Sequence, residues 1–559
     1  MNSIRISSTR NRPSRRGIVL PMVLVVIVVV SLGAYTFNEQ MLAEKEATVL
    51  YARDVQSRSF ALSGIEYAAS MLTVREAVGV ENLYHDPTRF QQILLPSELA
   101  RGQGRFSIVA PVETQTSSMG LRFGLRNESA KLNLNFLATI EPGEASNESM
   151  VSYLDESSDE PPDPEAEVRM MLTGGPEELI MTATQADIIL DFIDAEEPAL
   201  PRMYGREDDL NKNAALTSLD ELLSLPEVTR FDLYGEDLNR NGRLDVGEDL
   251  DGDGVLRLGW DAYLTVDSRE SNLRFDGSPR INLNQSLLTE LYDEIATEFE
   301  EDVAKFVVAY RMNGPVEDVG DDLSGNSNPN AEDSGNFLTR LASGIAKSSS
   351  MGGGVEGAVT RGGMDLSKGA SQKIVSLYDL IGTQVDVEID GSPTTLDSPW
   401  TDAPADMQQY LPELMDVFAL SDETTIPGRV NINEACYETL IGLPGMTTNL
   451  ANTIVSSQPF DSTGAPSADL VARKATTGWL VMDGLVSLSE MRALDQYVTT
   501  RGDVFRAQAV GHFDEGGPHV RMEALIDAST MPPQIRRIVD LTDLGRAYTQ
   551  AELLPGMAP

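Results

Sequence analysis

Twenty consecutive residues without a charge, Ile18 to Phe37 (IVLPMVLVVIVVVSLGAYTF), constrain this chain more than any other feature. A helix of that length covers the hydrocarbon core of a bilayer. Five arginines precede it (Arg5, Arg10, Arg12, Arg15, Arg16), with no acid among the first seventeen residues. They predict that the leader stays cytoplasmic and that everything beyond Phe37 lies on the far side. The residues after the run, Asn38 to Glu44, make a poor small-x-small site for a secretory peptidase, so removal of the whole run is not expected. Helical patterning continues from Met41 to about Ala77, with Val49, Ala52, Val55, Ala61, Leu62, Ile65, Ala68, Ala69 and Leu72 on one stripe. The expectation is one long helix, half in lipid and half packed on a domain, with Pro21 in a first turn where it displaces no hydrogen bond.

A chain of 559 residues exceeds one compact core, so two or more domains are expected. Its formal charge of −44 repels phosphate backbones and anionic lipid, and suits divalent cations, basic partners or plain solubility. The single cysteine, Cys436, excludes an internal disulfide. Three histidines (His85, His512, His519) leave little material for histidine-based catalysis or a zinc site. No Ser/His/Asp or Cys/His grouping stands out, and no enzyme is expected.

Arg105 to Val112 and Leu121 to Arg126 read as short strands. Residues 141–167 are acidic and rich in Ser and Pro, a linker composition. Thr182 to Ala195 has helical spacing, Ser218 to Leu225 is a short helix with Ser218 and Glu221 placed as a capping box, and Gln285 to Arg311 reads as a helix pair. Residues 313–373 are rich in Gly, Ser, Asn and Asp and read as a flexible insertion. Near the end, Asp503 to Phe513 and Val520 to Ala528 alternate as two strands around a Gly-rich turn. A motif recurs as Lys131 to Asn135, Arg280 to Asn284 and Arg429 to Asn433, each a basic residue followed by apolar-Asn-apolar-Asn, with starts 149 residues apart both times. Chance and internal duplication both account for it. The Asn side chains are expected to cap the following helices.

Asp237 to Glu248 (DLNRNGRLDVGE) matches a calcium-loop pattern. Asp237, Asn239, Asn241 and Asp245 supply oxygens at positions one, three, five and nine, Arg243 its carbonyl at seven, Gly242 the reversal and Glu248 the closing bidentate carboxylate. Asp249, Asp251 and Asp253 repeat the first half, but the twelfth position is Trp260, which leaves room for only a shared or weaker second ion. One calcium ion is expected, two at most, and as a staple rather than a switch, since no long helix precedes the loop. Arg429 to Val455 reads as two short helices around Leu443 to Met446, a helix-hairpin-helix. With no Lys or Arg between Arg429 and Arg473, no nucleic-acid binding is expected.

Gly17, between the basic cluster and the apolar run, resembles the prepilin arrangement, in which a dedicated peptidase cuts between Gly17 and Ile18 and the new terminus is methylated. Most pilins and pseudopilins carry Glu at the fifth mature residue, which here is Met22. That absence, the Leu-Pro-Gly hairpin after apolar-Asn-apolar-Asn, the acidic segment Asp191, Asp194, Glu207 and Asp208, and the stretches Gly478 to Leu480 and Tyr497 to Phe505 resemble the protein K family of type II secretion minor pseudopilins. The resemblance implies an α+β fold: a long N-terminal transmembrane helix packed on a small antiparallel sheet, pilin-like, with a large inserted α-helical domain containing a helix-hairpin-helix-like (SAM-like) element. The domains expected are a leader (1–17), the helix (18–77, with 18–37 transmembrane), the first part of the sheet (78–140), the acidic linker (141–167), the inserted helical domain with its calcium loop (168–312), the flexible insertion (313–373), a further helical part (374–480) and C-terminal strands completing the sheet (481–545).

It also implies a single-pass inner-membrane protein with a periplasmic bulk, acting at the tip of the pseudopilus in filament initiation and export. Its partners would be other minor pseudopilins, the prepilin peptidase and the inner-membrane secretion platform. An exported, membrane-anchored calcium-binding adhesion module, or a type IV pilus or DNA-uptake minor pilin, are the other readings.

Overall fold

The computed structural model describes residues 19–96, 102–111, 121–138, 164–193, 212, 214–316, 359–460 and 467–554. Helix α1 runs unbroken from Val19 to Thr73, about 80 Å at 1.5 Å per residue. Its apolar N-terminal part is not buried by any of the described residues and is long and apolar enough to cross a membrane. Its last turns bury Ser57, Ala61, Gly64, Ile65, Ala68 and Leu72, a stripe at helical spacing made mostly of small residues. The stripe expected further up is different: Val49 and Val55 are 47% exposed and Leu62 39%, because only the helix from about Ser57 onward lies over the sheet.

That sheet has six antiparallel strands: β1 (Ile93–Leu94), β2 (Gly104–Val109), β3 (Arg126–Asn127), β4 (Val504–Phe513), β5 (Val520–Asp527) and β6 (Gln534–Asp540). The order is β1-β2-β4-β5-β6, with β3 pairing the other half of β4. β4 and β5 follow the alternation read from sequence. β6 was missed, since QIRRIVD carries too few apolar residues to announce a strand. Every residue of β4 and β5 is buried, so both faces are covered. One face is apolar, with Ala507, Ala509, Met522, Ala524 and Ile526 in a core with α1. The helix approaches so closely that a Cβ on Gly511 would lie 2.0 Å from the Ser57 carbonyl oxygen and 2.6 Å from the Ala61 nitrogen. The opposite face carries Arg506, Gln508, Arg521 and Glu523, and it is buried under the block inserted between β3 and β4.

The block has a single core that runs from Leu132 to Val498. The divisions at residues 168 and 480 therefore move: the block already includes Leu132 and extends past the helix Leu488–Leu494. A helix, Pro164–Thr173, starts inside the stretch read as linker; the rest of 141–167 lies outside the described residues. Of 313–373, residues 317–358 also lie outside them, and 360–365 form a small hairpin. Helices are joined by two-stranded ladders, so the block is mixed rather than purely helical.

The recurring motif marks three copies of one unit. Leu132–Asn133 pairs in parallel with Leu264–Thr265, Ile281–Asn282 with Phe418–Ala419, and Val430–Asn431 with Val498–Thr499. Each ladder is followed by a helix pair, Pro164–Thr173 with Ala183–Ile193, Leu288–Glu298 with Glu301–Asn313, and Tyr437–Ile441 with Thr448–Ser456. Each copy then has a capping box, Ser218 with Glu221, Ser376 with Asp379 and Ser487 with Glu490. The last Asn of the motif is a crosslink rather than a cap. Asn135 donates to the Leu216 and Val266 carbonyls (2.9 and 2.7 Å) and accepts from the Leu216 N–H (2.6 Å). Asn284 makes the same three bonds to Ile374 and Leu420 (2.8, 3.1 and 2.9 Å). In the third copy Asn433 instead donates to Lys474 (2.9 Å). Ladders and capping boxes recur in all three copies and the crosslink in two, the pattern that duplication rather than chance would leave.

Candidate metal centre

The segment that resembles a calcium loop leaves the block through a neck of two glycines. A one-turn helix, Arg230–Tyr234, capped by Thr229 and Asp232, ends at Gly235. Gly235 bridges to Leu258, and the Glu236 N–H donates to the Arg257 carbonyl at 2.9 Å. A Cβ on Gly259 would sit 2.4 Å from the backbone nitrogens of Gly235 and Tyr234. Only glycine admits this approach, and the neck holds the two ends of residues 236–257 together.

In the first loop the Asp237 carboxylate accepts from the Asn241 and Gly242 N–H groups (2.9 and 2.7 Å), and Gly242 has φ +73°. Glu248 closes the loop, one oxygen accepting from the Asn239 N–H (3.2 Å) and the other from the Asp245 N–H (2.9 Å). The side-chain amides of Asn239 and Asn241 both donate to one oxygen of Asp245 (2.7 and 2.8 Å), while Oδ1 of Asn239 is buried with no partner. Arg243 takes part through its N–H, which donates to Asn241 Oδ1 at 2.8 Å. Burial, with the Glu248 charge adding to it, pushes Asp237 up to about 6. An orphaned amide oxygen and an undercompensated buried carboxylate are what a hard cation satisfies, and rotation of the Asn239 amide would turn its oxygen inward, whereas the Asn241 amide is fixed by the Arg243 N–H and the Ala547 carbonyl. Among the described residues Asp237, Asp245 and Glu248 do not themselves form a group of carboxylates within ligand distance of one another, so the first loop would have to rearrange its side chains to hold an ion.

The second loop is closed by a residue that the linear pattern does not contain. Trp260 is buried, and its indole N–H donates to the Ile180 carbonyl at 3.1 Å, so the twelfth position plays no part. Glu236, which precedes the first loop, places an oxygen within 4.8 Å of oxygens of Asp249 and Asp251. Its carboxylate is 1% exposed and is oriented by the Leu250 and Arg257 N–H groups (2.9 and 3.0 Å). Asp253 is not part of this group, and its carboxylate accepts from the Val255 N–H at 2.7 Å. The available signal in the sequence was Glu236 standing directly before Asp237, next to the neck glycine.

The first loop is seated on the polar face of the sheet. Gln508 of β4 donates to the Arg240 carbonyl (3.3 Å), Arg521 of β5 to the Asn239 carbonyl, and Asn241 to the Ala547 carbonyl (3.0 Å), while Arg243 pairs with Glu552. Beside it, Arg506 of β4 forms a two-pronged pair with the buried Glu128 (2.8 Å for each prong) and reaches Asp261 at 3.1 Å.

Of the remaining residues singled out by sequence, Gly17, Ile18, Asp194, Glu207 and Asp208 lie outside the described residues. Met22 sits in the exposed part of α1 (68% exposed) and Asp191 on the exposed side of the helix Ala183–Ile193. The hairpin pairs Tyr437–Ile441 with Thr448–Ser456. Its turn packs into the block, for a Cβ on Gly442 would lie 2.8 to 3.0 Å from the backbone of Met170 and Met171. Comparisons of the chain with protein families, with curated proteins and with solved structures give no match.

Proposed function

We propose that this chain is a minor pseudopilin of a type II secretion system, of the protein K kind, anchored in the inner membrane and acting at the tip of the pseudopilus in filament initiation and export. The observation that carries the reading is the path of α1, one helix that passes from a wholly exposed apolar half directly onto the face of an antiparallel sheet. This pilin-like join of anchor to sheet lets neighbouring subunits pack through their helices. The block fills the sheet's other face and widens the head, as suits a subunit that nothing follows, and Met22 removes the charge that a buried neighbour would need. The hairpin, read as SAM-like, serves packing. Partners in this reading are other minor pseudopilins, the prepilin peptidase and the inner-membrane platform.

The test is the N-terminal sequence and mass of the protein taken from membranes, with Gly17→Val beside the parent. The expected mature chain starts at Ile18 and is lost in the variant. A start at Met1, or beyond Phe37, sinks the pseudopilin reading and leaves an anchored or secreted calcium-binding module.

Calcium in the first loop, with a second ion held by Glu236, Asp249 and Asp251, belongs to the same proposal. Glu248→Ala is expected to weaken the tighter binding event in calorimetry by at least tenfold, about 1.4 kcal/mol, and to remove the rise in unfolding temperature that the ion gives the parent. Equal affinity in parent and variant would remove the first-loop assignment.

A further inference from the structure

Between the first copy of the repeated unit and the last strand of the sheet lies a cleft of about 610 Å³, walled by Phe136, Ser218, Ser268, Arg269, Arg536 and Arg537. Three guanidinium groups in one cleft are unusual on a chain of net charge −44. Two of them have carboxylates to satisfy them. Arg269 holds Asp267 (3.1 Å from Nε), and Arg536 reaches the fully buried Asp527 at 2.7 Å. Arg537 has a hydroxyl partner, Ser218, and no carboxylate among the described residues. Ser268 is 1% exposed, and its hydroxyl has no hydrogen-bond partner. The cleft therefore keeps one uncompensated positive charge and one unused buried hydroxyl.

Arg536 and Arg537 stand on β6, the outermost strand, whose far edge pairs with no other strand among the described residues. An extended segment entering the cleft thus finds guanidinium forks for its side chains, beside a strand with an unpaired edge. We propose that this cleft binds an extended, carboxylate-rich peptide segment of a partner protein, with one carboxylate on Arg537. A nucleic acid carries a phosphate at every residue and would be repelled by the surrounding acidic surface, whereas a peptide can set a single carboxylate on the uncompensated Arg537. The inference stands whether or not the export reading does.

The experiment measures fluorescence anisotropy of a labelled hexaglutamate peptide titrated with the full chain in detergent micelles, with hexaglutamine as the uncharged probe. Saturable binding of hexaglutamate alone is expected, weakened at least tenfold by Arg537→Ala and less by Arg537→Lys, which keeps the charge and loses the fork. Arg473→Ala, whose guanidinium pairs with Asp483 outside the cleft, should leave the affinity unchanged. Absence of saturable binding overturns the proposal, as does a loss with Arg473→Ala equal to that with Arg537→Ala. A third result also overturns it: binding that appears only when the acids of residues 141–163 are changed to their amides would assign the cleft to the chain's own acidic segment.

Discussion

Arg506→Met is expected to destabilise the protein by about 3 to 5 kcal/mol, since it leaves Glu128 charged, buried and without its two-pronged partner. Glu128 is fully buried and bonds also to Thr265 Oγ1 at 2.6 Å. It cannot reach water to recover what Arg506 supplied. Chemical denaturation of the full chain in detergent reads the effect, and the paired variant Arg506→Met with Glu128→Gln separates the causes. If the cost is that of an orphaned charge, the double variant loses less than Arg506→Met alone. If it loses as much or more, the pair acts by packing and the electrostatic account fails.

The same group gives a pH dependence. Burial alone would raise Glu128, but the Arg506 guanidinium, with Lys131 and Arg126, holds it down to about 2 against an ordinary value of 4.5. A carboxyl depressed in the fold contributes stability that is complete above its unfolded value and is lost as pH falls through the folded one. The parent should therefore lose stability between about pH 4.5 and pH 2, and Glu128→Gln should flatten that part of the curve.

The second large effect is steric. Gly511→Val forces a side chain into space that already holds the backbone of α1 at Ser57 and Ala61. Neither a helix backbone nor a strand buried on both faces can give way by rotamer change, so the cost should reach about 3 kcal/mol or more. Limited proteolysis should then cut near Ser57 in the variant, while the inserted block, whose core does not include α1, stays resistant. Loss of the block's resistance at the same protease concentration would show that helix, sheet and block unfold as one unit.

What could be read from sequence followed a simple rule: elements with one apolar face and one wet face announced themselves. Helix α1 and strands β4 and β5 are of that kind in pattern. The alternation that revealed β4 was misleading about its surroundings, because Arg506 and Gln508 look like a solvated face and are in fact covered by polar partners from the block. Polar burial of this sort leaves no hydrophobic signature. The triple unit was only partly legible. Its Asn motif stood out, yet the accompanying capping signal was equally present as SLDE, SLYD and SLSE beginning at Ser218, Ser376 and Ser487. Insertions of different length between them hide the period. In the candidate metal centre, the first loop is contiguous and readable, whereas Glu236 joins Asp249 and Asp251 only because the glycine neck folds the chain back on itself.

The block enters the sheet after Asn127 and leaves before Phe505, and those two residues are cross-strand partners in the ladder of β3 with β4. Mechanically this is a short circuit. A pull on the N-terminal end of α1 that is resisted at the C-terminal strands runs through helix-to-sheet packing and through strands sheared against one another. The several hundred residues looped out between β3 and β4 lie off the load path, so insertions of any length there need not bear tension.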